Sequence, residues 1–135
     1  MIFQYILLID DEMSVNYFHE YLIEDMNLTS KILKARNAEE GKQQLLKLEK
    51  AAEIRPSLIF LDINMPRYNG FEFIDMNAEL LQELTDRGVY ILILTTSTNY
   101  RDIEQAQRYD LISSYEQKPM TFEMLKRIVR EFGED

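Results

Sequence analysis

With 135 residues, 46% of them hydrophobic and 29% charged, the chain has the size and composition of one globular domain with an ordinary core. It lacks cysteine, which excludes disulfides and thiolate metal sites, and its single histidine, His19, excludes a histidine-cluster metal site. The 24 acids against 15 bases give a net charge of −9, the wrong sign for a nucleic-acid-binding surface.

The N-terminus has neither the basic region nor the long apolar core of a secretory signal, and no apolar run approaches a membrane span. A cytoplasmic protein without membrane contact is the expectation. In chain order, QYILLID (4–10) reads as a strand. SVNYFHEYLIEDMN (14–27) reads as a helix capped by Ser14, with Val15, Phe18, Leu22 and Met26 at helical spacing. KILKA (31–35) is a short strand. The next helix opens at Asn37 with Glu40 three residues on, a capping-box pattern, and offers Ala38, Leu45 and Leu48 as its buried face. Pro56 precedes the strand 57–62. Residues 71–86 read as one helix with Phe71, Ile74, Ala78, Leu81 and Leu84 on one side, stopped at Gly88. VYILILT (89–95) is a long apolar strand. Residues 100–110 form a polar helix anchored by Ile103 and Ala106, and 111–115 a weaker strand. A last helix, 121–132, is capped by Thr121 and turns Phe122, Leu125, Val129 and Phe132 inward.

Five strands alternating with five helices imply a parallel sheet covered on both faces. The apolar strands 4–10, 57–62 and 89–95 belong in its centre, and the shorter, more polar 31–35 and 111–115 at its edges. That gives the order 2-1-3-4-5, a flavodoxin-like doubly wound α/β fold with right-handed crossovers.

The stretch LIFLDINMPRYNG (58–70) runs from buried-strand residues straight into Asp62 and then into turn formers. Burying an unpaired carboxylate is costly, so Asp62 belongs at the carboxyl end of its strand. The first strand ends in Asp10-Asp11-Glu12, the fourth in Thr95-Thr96-Ser97, and Lys118-Pro119 follow the fifth. In a parallel sheet these ends share one edge, so acids, hydroxyls and a lysine converge on one crevice. Clustered carboxylates need a counter-ion, and oxygen ligands suit a hard cation such as Mg²⁺. A metal beside a carboxylate, a lysine and a hydroxyl fits phosphoryl transfer, with an aspartate as the nucleophile.

On Asp10-Asp11, the LDINMPRYNG block with Asp62, Pro66 and Gly70, Thr95, and Lys118-Pro119, the chain resembles the receiver domains of two-component response regulators. IDDE, LDINMP and LTTS together look most like the small single-domain receivers found in many bacteria. The resemblance implies a receiver over residues 1–135 with no output domain. It makes Asp62 the phosphoacceptor and Asp11 the direct metal-binding acid, with Asp10 assisting. The backbone carbonyl of Asn64 completes the ligands for Mg²⁺, for which Mn²⁺ is a substitute. Lys118 pairs with a phosphoryl oxygen, Thr95 is the switch hydroxyl, and Tyr115, three residues before the lysine, the aromatic switch. Thr96 is an alternative for the hydroxyl, because the family's residue after it is small and the stretch from Thr95 to Lys118 is slightly longer than in many receivers. Lys118–Pro119 is a candidate cis bond.

The implied partners are a sensor histidine kinase or histidine phosphotransfer protein and an unidentified downstream protein. Tyr100, Tyr109, Tyr115 and Met120 are candidates for the output face. The resemblance implies a protein that catalyses its own phosphorylation and slow dephosphorylation and is not a turnover enzyme. A phosphatase with an aspartyl nucleophile typically carries a second acid where this chain has Asn64. A flavin site wants a Gly- and hydroxyl-rich loop where this chain has DDEMS. A degenerate, purely binding receiver would not need the full set of acids, threonine and lysine.

Overall fold

The computed structural model describes residues 2–133. Its sheet consists of β1 (Ile6–Ile9), β2 (Ile32–Ala35), β3 (Ser57–Leu61), β4 (Val89–Thr95) and β5 (Ile112–Gln117). All neighbours pair in parallel, in the order β2-β1-β3-β4-β5. The three central strands are the apolar ones, as expected, because a strand covered on both faces has no solvent side for polar residues.

Among the described residues six helices cover the sheet: α1 (Met13–Asp25), α2 (Ala38–Lys50), α3 (Gly70–Met76), α4 (Ala78–Asp86), α5 (Tyr100–Gln107) and α6 (Phe122–Phe132). The expected count of five helices becomes six at Asn77, which splits 71–86 into α3 and α4. Asn77 takes φ −122° and ψ 26°. Its side-chain amide donates to the Phe73 carbonyl at 2.8 Å, competing with the helix's own bonding.

Alternate strand residues supply the two core layers. Leu7, Ile9, Ile59, Leu61, Ile91 and Ile93 pack under α2, α3, α4 and α5, against residues such as Leu45, Phe73, Leu81 and Ala106. Ile6, Leu8, Leu58, Phe60, Leu92 and Leu94 pack under α1 and α6, against Leu22, Ile23, Leu125 and Ile128.

Several local expectations are corrected. Glu12, not Ser14, is the N-cap of α1, and no side chain caps it. The buried side of α1 is Asn16, His19, Leu22 and Ile23, while Phe18 is exposed. Ala78 is exposed. Leu125 and Ile128 are the buried residues of α6, and Phe122 is exposed. In α2 Asn37 does accept from the Glu40 N–H at 2.8 Å, but the Glu40 carboxylate turns to the Arg36 N–H, so the box is half formed. A complete capping box stands instead at Asn69 and Glu72 of α3. Thr121 caps α6 as expected.

β5 runs two residues beyond its expected end because Glu116 is buried in an ion pair with Arg127 and does not act as a solvent-side breaker. The register against β4 also shifts, Ile91 facing Ile112 and Leu92 facing Ser114, so the strand takes up an extra residue at Ser113. Met120 lies in the core under α6 and so is not part of an output face. Of the other three aromatic candidates Tyr100 is exposed, while Tyr109 and Tyr115 are half-buried against the core.

Candidate functional site

The carboxyl edge of the sheet gathers the predicted residues. At the end of β1 the Asp10 N–H donates to the Ala35 carbonyl at 3.0 Å, and at the end of β3 the Asp62 N–H donates to the Ile9 carbonyl at 3.0 Å. Parallel pairing thus sets both acids beside each other. They are buried, whereas Asp11 is exposed. One oxygen from each of Asp10, Asp11 and Asp62 falls within 4.8 Å of the others. Asp10 Oδ1 accepts the Glu12 N–H at 2.9 Å, and Asp62 Oδ1 accepts the Asn64 N–H at 3.1 Å, so each carboxylate is held by its own turn.

Gly70 is what lets α3 begin against this turn. A Cβ there would stand 2.7 Å from the Asp62 carbonyl oxygen and 2.9 Å from the Ile63 Cα, both backbone atoms that cannot give way.

Lys118 directly follows β5, and its N–H donates to the Thr95 carbonyl at 2.8 Å. The bond to Pro119 is cis. The Lys118 ammonium makes a short contact with Asp10 Oδ2 and lies 3.3 Å from Asp62 Oδ2. Burial works against its charge, but the hydrogen bond to Asp10 and the field of Asp62 outweigh that, and its pKa is raised. The pKa of Asp62 is raised too, chiefly by burial; the Asn64 N–H and Lys118 oppose the shift and Asp10 adds to it.

Three carboxylates against one ammonium leave the cluster short of positive charge. The donors are all oxygens, two buried and one open to solvent. That set fits a hard divalent cation which keeps several waters.

Thr95 is fully buried and its hydroxyl accepts from the Asn64 side-chain amide and from the Ser97 N–H, both at 3.2 Å. Thr96 is exposed and faces a groove with Val15, Phe18 and Pro119. The Tyr115 hydroxyl donates to the Ser97 carbonyl at 3.1 Å, so the ring already engages this loop. Ser97 Oγ in turn donates to Asp102 of α5 at 2.6 Å.

Sequence reasoning missed three residues here. Ser97 was read only as part of a strand-end hydroxyl run. Asn16 and His19 stand three apart on α1, which is a helical-face signal, but polar residues were not counted as buried. His19 is 3% exposed, and its pKa falls from 6.5 to about 4, first through burial and then through Lys118, with Asp10 opposing.

Comparison with known proteins bears on the family and the fold. The family model described as "Response regulator receiver domain" matches residues 6–130. The probable C4-dicarboxylate response regulator DctR of Halalkalibacterium halodurans is 30% identical over 129 residues, which are 96% of this chain and 51% of that protein. The probable methanogenesis regulatory protein FilR2 of Methanothrix harundinacea is 30% identical over 133 residues, 96% of this chain and 81% of that one. The chain therefore spans about half the length of DctR and about four-fifths of FilR2. A two-component response regulator from Cytophaga hutchinsonii superposes with a TM-score of 0.86 at 28% identity, covering 98% of both chains. The chemotaxis protein CheY4 of Vibrio cholerae shares the fold, with a TM-score of 0.72 at 23% identity over 96% of this chain and 98% of the other. No helix among the described residues is long and apolar enough to cross a membrane. The chain belongs to the response regulator receiver domain family of two-component signalling.

Proposed function

We propose that this receiver accepts a phosphoryl group on Asp62 from the phosphohistidine of a sensor kinase or histidine phosphotransfer protein. An Asp62 carboxylate oxygen forms the new bond to phosphorus, the phosphorus–nitrogen bond breaks, and the imidazole nitrogen keeps the electron pair. Asp10, Asp11, Asp62 and the Asn64 carbonyl would hold Mg²⁺, or Mn²⁺ in its place. When bound, the cation supplies positive charge against the phosphoryl oxygens. The observation that carries this reading is the Lys118 ammonium bridging Asp10 and Asp62 within an otherwise uncompensated acid cluster. On phosphorylation Lys118 is free to move from the carboxylates to a phosphoryl oxygen.

The chain catalyses its own phosphorylation and slow dephosphorylation and is not a turnover enzyme. Its position-64 side chain is an amide engaged with Thr95, with no acid to protonate or activate a leaving group. Output runs through Thr95. Leaving Asn64 and Ser97 for the phosphoryl group alters the loop that holds Tyr115 and α5, and a few kcal/mol suffices to favour one packing over another. A downstream protein reads that surface.

Acetyl phosphate with Mg²⁺ tests the reading. Intact mass should rise by one phosphoryl group, mapping to Asp62 and vanishing in Asp62→Asn. Undiminished modification of that variant at another residue overturns the assignment. With a beryllofluoride mimic, the Tyr115 ring resonances should shift in wild type and stay in place in Thr95→Ala; equal shifts would remove Thr95 from the output route.

A further inference from the structure

α1 passes behind the acid pocket with a polar residue where an apolar one would pack. Asn16 is fully buried, and its Nδ2 donates to the Asp10 carbonyl at 3.1 Å and to the Ala35 carbonyl at 3.2 Å. The Ala35 carbonyl is also the acceptor for the Asp10 N–H. One side chain therefore ties the peptide of the pocket acid to the end of the neighbouring strand. Asn16 Oδ1 is buried with no hydrogen-bond partner. One turn further, His19 is buried as well, and both residues line a small cavity of about 10 Å³ together with Asp10 and Asp62.

A leucine at position 16 would carry none of this desolvation cost and would extend the apolar layer of Leu22 and Ile23. Tying strands together does not need it either, because β1 and β2 are already joined by their own ladder. What Asn16 adds is a fixed Asp10 peptide, and with it a fixed root for the Asp10 carboxylate.

We propose that Asn16 is a positioning residue for the metal site: it holds Asp10 so that its carboxylate meets the cation, Lys118 and Asp62 in one geometry. The inference rests on the reading of the acid cluster as a Mg²⁺ site. Partners that orient metal ligands from behind are worth about 10–100-fold in affinity.

Mg²⁺ titrations followed by NMR test it in wild type, Asn16→Leu and Asn16→Ser, each also combined with Asp10→Ala. Asn16→Leu should weaken Mg²⁺ binding about tenfold, and Asn16→Ser, too short to reach both carbonyls, by a similar factor. In the Asp10→Ala background the same changes should leave the residual affinity as it is, since Asn16 acts through Asp10. A merely structural Asn16 would lower the metal-free melting temperature and leave the affinity unchanged in the folded fraction. In ¹⁵N-labelled wild type, which needs no variant to fold, the Asn16 side-chain amide signals should shift as Mg²⁺ is added. Wild-type affinity in folded Asn16→Leu, equal losses in both backgrounds, or amide signals unmoved at saturating Mg²⁺ would each overturn the inference. A wild type that takes up no Mg²⁺ overturns the metal reading itself, and that is seen before any variant is compared.

Discussion

Helices α1 and α2 have 13 residues each and lie on opposite faces of the sheet beside β1 and β2, yet they bury different chemistry. α2 turns inward Ala38, Gly41, Leu45 and Leu48, and a side chain caps its start. α1 turns inward Asn16 and His19 before it reaches Leu22 and Ile23, and no side chain caps it. The polar half of α1 is the half next to the acids. α2 spends one half-buried polar residue, Gln44, on the Lys34 carbonyl of β2, whereas α1 gives up apolar burial at two positions, and both of these back the acid pocket.

Substitutions on the two helices break this comparison in different ways. Leu45→Ala, at a fully buried position of α2, should cost about 4 kcal/mol in urea unfolding while leaving Mg²⁺ affinity intact. A large loss of affinity would mean that α2 also supports the pocket.

His19 sharpens the α1 side through pH. Its folded pKa of about 4 lies below the unfolded 6.5, lowered by burial and then by Lys118 against the opposing field of Asp10. Its contribution is therefore full above pH 6.5, declines as the pH falls from 6.5 to about 4, and is constant below that. At about 1.4 kcal/mol per pH unit, metal-free wild type should lose roughly 3 kcal/mol more over that window than His19→Leu does. Equal losses in the two proteins would show that the fold accommodates a charged His19.

Asp62→Asn should stabilise the metal-free protein by about 1 kcal/mol, because burial penalises the carboxylate and an amide oxygen can still accept the Asn64 N–H. A lower melting temperature for this variant would recast Asp62 as a structural acceptor.

The smallest contrast concerns the caps. Asn37→Ala should cost about 1 kcal/mol, and Glu12→Ala, at the uncapped start of α1, less than about 0.5 kcal/mol. Equal thermal shifts would show that the Asn37 bond contributes nothing net.

The sheet order was legible because strand hydrophobicity alone separates central strands from edges. The site was legible because strand ends in a parallel sheet share an edge, so Asp10, Asp62, Thr95 and Lys118 needed no contact information. Periodicity misplaced the inner face of α1 because it counts apolar residues, and the helix buries Asn16 and His19 while leaving Phe18 in solvent. The break at Asn77 was hidden for a similar reason. Phe71, Ile74, Leu81 and Leu84 hold a single helical period across it, and only the side-chain bond back to Phe73 ends the first helix. The bond from Tyr115 to Ser97 depends on a rotamer, which no pattern of residue types records.

That break has a mechanical consequence. α3 is fastened toward α5: Tyr109, just beyond that helix, stacks on Phe71 at 5.5 Å and its hydroxyl donates to Asp75 at 3.0 Å. α4 is fastened the other way, through Arg87 at its end, whose guanidinium donates to the Glu49 and Ala51 carbonyls at the end of α2 at 3.0 and 2.7 Å. A continuous helix would act as a rod and carry a shift of α5 through to α2. Interrupted at Asn77, it is two short segments with separate anchors, α3 held by Tyr109 beyond α5 and α4 by Arg87 against the end of α2.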